Sequence, residues 1–176
     1  MKGAKNLNAI LVDSNEVQYY TYLGPIFEAL HNKQLDYNWL ITDLELNWFP
    51  DNFLDYFDQV QISEGMWNHD NRYWISGDNL TKLVTDHKLQ FIWGVLSGLD
   101  KKVQIDINNL SVVPFADGNT DLWKPGNTVQ HPNADIEIVC WDSTLTLMIS
   151  KDQSIIRDFM EYFKDSKDLD EYILED

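Results

Sequence analysis

Apolar residues along this chain fall into short blocks whose spacing switches between two and three or four, and each switch predicts an element. Residues 8–13 (NAILVD) read as a short buried strand, and Ser14 with Glu16 and Glu28 around an apolar series predicts helix after it. Its clearer half holds Leu23, Ile26, Phe27 and Leu30 on one stripe, with Gly24-Pro25 in a first turn where a missing N–H is harmless. Residues 37–42 (YNWLIT) have the aromatic and β-branched content of a strand, and residues 44–49 continue or return it. Pro50-Asp51 breaks the pattern; Phe53, Leu54 and Phe57 then give a turn or two of helix before an edge strand at 60–63.

The stretch 64–71 (EGMWNHDN) is a loop by composition, and 72–76 (RYWIS) is strand-like. Asp78 is the predicted N-cap of a helix carrying Leu80, Leu83 and Val84 and ending near His87-Lys88. The run 89–96 (LQFIWGVL) is the most apolar in the chain and suits a central strand, and 102–107 (KVQIDI) alternates as a further strand. Residues 135–141 (DIEIVCW) and 144–150 (TLTLMIS) form a hairpin pattern around Asp142-Ser143, with Ile136, Ile138 and Cys140 on one face. Asp152 caps a helix with Ile155, Ile156, Phe159, Met160 and Phe163 on one stripe.

These elements do not alternate regularly as β and α, so the expected class is α+β. The expected architecture is a single domain over 1–176, with a mainly antiparallel sheet of about six strands packed by three or four helices. A C-terminal β-hairpin followed by an amphipathic helix closes it. Residues 114–133, rich in Pro, Gly, Asn, Asp and Thr, form a long loop. Residues 165–176 form an acidic tail in which Leu169, Tyr172 and Ile173 stand at helical spacing, so part of it can dock.

A chain of 176 residues and 20.6 kDa buries about 70% of its extended surface, leaving roughly 8,900 Å² exposed. The single cysteine, Cys140, excludes an internal disulfide framework and a Cys-rich zinc site. It alternates with Ile136 and Ile138, as an inert core thiol does. No apolar run reaches the roughly 18 residues of a membrane span, and the start lacks the apolar core of a signal peptide, so the expected location is cytoplasmic.

Charge changes the picture more than composition does. Thirteen Lys and Arg stand against 29 Asp and Glu, a net charge of -16. The only adjacent basic pair, Lys101-Lys102, is followed by Asp106 and preceded by Asp100. Nucleic acid and anionic membrane are disfavoured as partners, because both need clustered cations. A concentrated field of one sign speeds association with the opposite sign, so the expected partner is a basic protein.

Candidate chemistry is sparse. The four histidines, His31, His69, His87 and His131, are widely separated, so a site would have to be assembled by folding; His69-Asp70 in its loop is the best start for one. Asp117, Asn119 and Asp121 have the spacing of the start of a calcium loop, but Leu122 stands where glycine is needed and Thr128 where the closing acid should be. There is no GxGxxG and no P-loop, and no cofactor is expected. Trp39, Trp74, Trp93 and Trp141 fall in predicted strands, whereas Trp67 and Trp123 lie in polar loops beside acids. Loop aromatics anchor partners while charge steers them. Trp67, His69, Asp70, Asp117, Asp121 and Trp123 are therefore the candidate partner-binding residues.

In the order of its elements, from YNWLIT through WISGDNLTKLV and LQFIWGVL to DIEIVCWDSTLTLMISKD, the chain resembles small uncharacterised bacterial proteins of the toxin-immunity type. The resemblance spans about two-thirds of the length and rests on general pattern, so it carries no functional residue over. It implies a non-catalytic binding module that neutralises a basic toxin or enzyme. The alternative is a hydrolytic or metal-assisted enzyme in which folding brings His69 and Asp70 together with Asp117 or Asp121.

Overall fold

The computed structural model describes residues 5–17, 19 and 21–175. Eight strands, β1 (Ala9–Val12), β2 (Tyr37–Leu46), β3 (Gln59–Gln61), β4 (Arg72–Ser76), β5 (Phe91–Asp100), β6 (Ile136–Trp141), β7 (Leu145–Ser150) and β8 (Lys167–Asp168), form one sheet. Their order is β3-β4-β2-β5-β6-β7-β1-β8, and every neighbouring pair is antiparallel. The class is α+β, as the pattern of elements predicts. The count exceeds the expected six: β3 answers the edge strand expected at 60–63, and β8, only two residues long, is too brief to show a period. Short edge strands also limit edge-to-edge pairing.

Helices α1 (Leu23–Ala29), α2 (Gly77–Asp86) and α3 (Gln153–Tyr162) cover one face, here the front. Leu23, Ile26, Phe27, Leu80, Leu83, Ile155, Ile156 and Phe159 pack there on Leu11, Trp39, Ile41, Tyr73, Ile75, Leu96, Ile138 and Cys140. Alternation sends Ile10, Val95, Val139, Leu147 and Ile149 to the back face. Helix α4 (Leu169–Glu175) and the chain from 101 to 135 cover that second face through Leu169, Ile107, Ala116, Leu122 and Ala134. Because β5, β6 and β7 are covered on both faces, they read as nearly continuous apolar runs. Among the described residues no helix is long and apolar enough to cross a membrane.

Three expectations are corrected. Residues 102–107 are not a strand: β5 already pairs with β2 and β6, so a return from its end finds no free edge. Val103, Ile105 and Ile107 instead press a loop onto the back face. Helix α1 begins only at Leu23, and Ser14 is not a helix start. Glu16 takes the N–H groups of Lys164 and Asp165, while Asp165 takes the Ser14 hydroxyl and the Asn15 N–H, which ties this stretch to the segment after α3. The cap of α2 is Ser76, whose Oγ accepts from the Asn79 N–H at 3.1 Å, and Asp78 lies inside the first turn. Asp152 caps α3 as the sequence indicates.

Candidate functional site

The long segment between β5 and β6 crosses the back face, and its anchors are carboxylates. Asp43 Oδ2 accepts the N–H groups of Ala116 (2.7 Å) and Asp117 (2.8 Å), and Thr42 Oγ1 donates to the Pro114 carbonyl at 2.6 Å. Glu137, fully buried on β6, accepts the N–H groups of Gln130 (2.7 Å) and His131 (2.9 Å) and the Ser97 hydroxyl (3.0 Å). Asp170 on α4 accepts the Gly126 N–H at 2.9 Å. Part of the acidic excess thus satisfies the backbone of a loop that pairs with no strand.

A bulge in β2 makes the first anchor available. Asp43 has φ +53°, and the register to β5 slips between Thr42 and Glu45. Thr42 and Asp43 both face the back, the phase of the strand reverses, and Leu44 and Leu46 enter the front core while Glu45 joins Asp43 behind. His69 lies between the two acids, with Nδ1 2.6 Å from Asp43 Oδ1 and Nε2 3.1 Å from Glu45 Oε2. Burial opposes a charge on the ring, but the hydrogen bonds and charges of Asp43 and Glu45 prevail and hold its pKa above the ordinary value. Both nitrogens face carboxylate oxygens, an arrangement that favours the doubly protonated ring.

His69 and Asp70 border a cleft of about 420 Å³ with Gln61, Ser63, Arg72, Val113 and Phe115. Asp117 meets this group through its backbone N–H on Asp43. Asp121 does not: it lines a different cavity, of about 480 Å³, and pairs with Lys124 at 2.5 Å. Trp123 is half-buried, edge-on to Trp141 with centroids 5.0 Å apart, and closes the back face. Trp67 is 59% exposed and touches Phe49 edge-on at 4.8 Å.

No family model, curated protein or solved structure matches this chain. The site is therefore read from its own geometry.

Its most distinctive surface lies at residues 112–116 (VVPFA), of which 114–116 fall in the expected long loop and 112–113 in no expected element. Pro114 and Ala116 point inward and are buried, whereas Val112, Val113 and Phe115 are 38%, 39% and 45% exposed. The available signal was five consecutive apolar residues at the start of a polar stretch. Phe115 is held on both sides of its backbone by Gln130: its N–H donates to Gln130 Oε1 at 3.0 Å and its carbonyl accepts from Gln130 Nε2 at 3.1 Å. The result is an apolar strip hydrogen-bonded in place between two clefts, with Asp117, Asp70 and Asp121 exposed around them.

A general base or a metal-binding imidazole needs a free nitrogen lone pair. His69 has both nitrogens committed to carboxylates. Among the described residues no group of three or more His, Cys, Asp or Glu side chains is arranged to hold a metal ion. Cys140 is fully buried, and burial pushes its thiol pKa up.

Proposed function

We propose that this protein is a non-catalytic binding module, immunity-like, that neutralises a basic protein such as a toxin or enzyme in the cytoplasm. The observation that carries the reading is the strip of Val112, Val113 and Phe115, exposed while Gln130 brackets Phe115 and Asp43 anchors the next two residues, on a chain of net charge -16. An apolar anchor set in an anionic surround gives a partner of opposite sign both residence and fast encounter. The resemblance in element order to small acidic bacterial proteins of the immunity type supports the same reading.

The test uses purified components. Basic proteins recovered with the full chain from its source cell are expressed separately, and binding is remeasured with the wild type and with Val113→Glu/Phe115→Glu. A cationic protein that binds the wild type, is inhibited by it, and loses affinity at least a hundredfold with the double variant is the expected result. Binding that ignores both the substitution and ionic strength, or turnover of a small substrate by the chain alone, overturns the proposal.

A further inference from the structure

Glu137 sits in the middle of the sheet, and what buries it is the loop it holds. On its own strand and on β7 its neighbours are apolar, with Ile149 directly opposite in register. From β5 Ser97 faces it, and from the loop come the Gln130 and His131 N–H groups. The charged or titratable groups near it are His131, held neutral by burial and by Lys151, and Lys151 itself, whose ammonium bonds the Pro132 carbonyl. No cation touches the carboxylate among the described residues.

The neutral acid can keep all three contacts by turning the Ser97 hydroxyl from donor to acceptor. With a proton on Oε1, Oε2 still accepts from Gln130, Oε1 still accepts from His131, and the O–H donates to Ser97 Oγ. The ionised form keeps the same three contacts but leaves a buried charge without a counter-charge, which favours any state that lets water in. Lifting residues 128–131 is the direct route for water, and those residues reach the surface through Gln130. Its N–H is on Glu137, and its side chain brackets Phe115.

We propose that Glu137 is a proton-operated latch: protonated, it seats residues 128–131 on the sheet, and on losing the proton it loosens them and, through Gln130, the 112–115 strip. The direction follows from linkage, because the seated state binds the proton more tightly than a water-exposed one. Burial raising the Glu137 pKa to about 7 puts the transition near neutrality. The consequence for a partner rests on the proposed binding function; the latch itself does not.

Amide exchange and the Glu137 carboxyl ¹³C shift, followed from pH 6 to 9 on the full chain with no partner, test it. Leu147 of β7, paired on both sides, serves as internal reference. The expected result is a carboxyl that titrates near neutrality. Protection at Gln130, His131 and Phe115 relative to Leu147 should fall by up to about tenfold per pH unit as pH rises towards 7 and level off above it. In Glu137→Gln the relative protection should be flat; if that variant does not fold, the wild-type titration decides alone. A carboxyl titrating in the ordinary range, a constant ratio, or loosening at 130–131 without Phe115 overturns the latch while leaving the binding proposal standing. An intact latch in a protein that holds no cationic partner overturns only the latter.

Discussion

His69 and Asp43 meet at 2.6 Å only because β2 slips its phase at Asp43, turning a carboxylate that regular alternation would send to the front core onto the back face. The same carboxylate group then does two things at once. One oxygen meets the His69 ring and the other holds two backbone N–H groups of the loop that carries Phe115.

Asp43→Asn should therefore cost more than the loss of one ion pair. It removes the counter-charge of His69 and leaves an amide nitrogen facing a hydrogen-bond donor in a buried site. The expected destabilisation is about 3 kcal/mol. Exchange should also rise at residues 115–117 specifically. Asp121→Asn, which breaks the exposed pair with Lys124, should change stability by about 0.5 kcal/mol or less. Urea unfolding of both variants checks the contrast; equal effects would mean that the Asp43 anchor contributes nothing beyond an ordinary surface charge.

The pH dependence of stability has a definite sign. Glu137 binds its proton more tightly folded, near 7 against an ordinary 4.5, so its favourable contribution is present below about 4.5 and is lost as pH rises through about 7. His69, also raised, contributes fully below 6.5 and loses that contribution as pH climbs through its folded value. His131 is lowered and opposes them: its contribution is present above 6.5 and fades as pH falls. Above pH 6.5 only the first two still change, so the urea midpoint should decline as pH rises from 6.5 through about 7 and level off once both folded values are passed, and Glu137→Gln should flatten the decline. A midpoint that rises over that range contradicts the assignment.

Much of this architecture is legible in the chain. The β6–β7 hairpin and the stripe of α3 follow from periods that one sheet face or one helix side imposes, and the buried Cys140 follows from the same alternation. What escaped has a common cause, which is occupancy by distant chain. Residues 102–107 alternate as a strand does, yet no edge was left for them. The Asp43–His69–Glu45 group depends on a bulge that no local residue announces, and Glu137 looks like an outward polar position until the loop closes over it. His69 and Asp70 line one cleft, whereas Asp121, in the turn at residues 120–123, lines the other cavity.

Close packing makes one glycine decisive. A Cβ on Gly77, the first residue of α2, would lie 2.2 Å from the Gln34 carbonyl oxygen, 2.8 Å from that of Tyr37 and 2.9 Å from the Leu35 Cα. All three are backbone atoms, so relief requires moving the helix or the turn. Gly77→Ala should destabilise by about 3 kcal/mol. At Gly94 the nearest atom is Leu44 Cδ1 at 3.5 Å, an ordinary contact, and Gly94→Ala should stay within about 1 kcal/mol. Thermal melts of the pair decide whether α2 is as firmly seated as these distances require.

The binding surface should divide its labour between anchor and field. Phe115 is held in place before any encounter, so replacing it by alanine removes buried area without altering approach. Once the basic partner is identified, Phe115→Ala should raise the dissociation rate at least tenfold and leave the association rate nearly unchanged. Asp70, Asp117 and Asp121 are exposed around the two clefts. Changing all three to Asn removes charge while keeping shape. That variant should associate roughly tenfold more slowly at low salt and match the wild type near 1 M, where the screening length is about 3 Å. Stopped-flow kinetics over a salt series separates the two effects. If the triple variant keeps the wild-type association rate at every ionic strength, these acids do not steer the partner and the charge serves only the loop and the solvent.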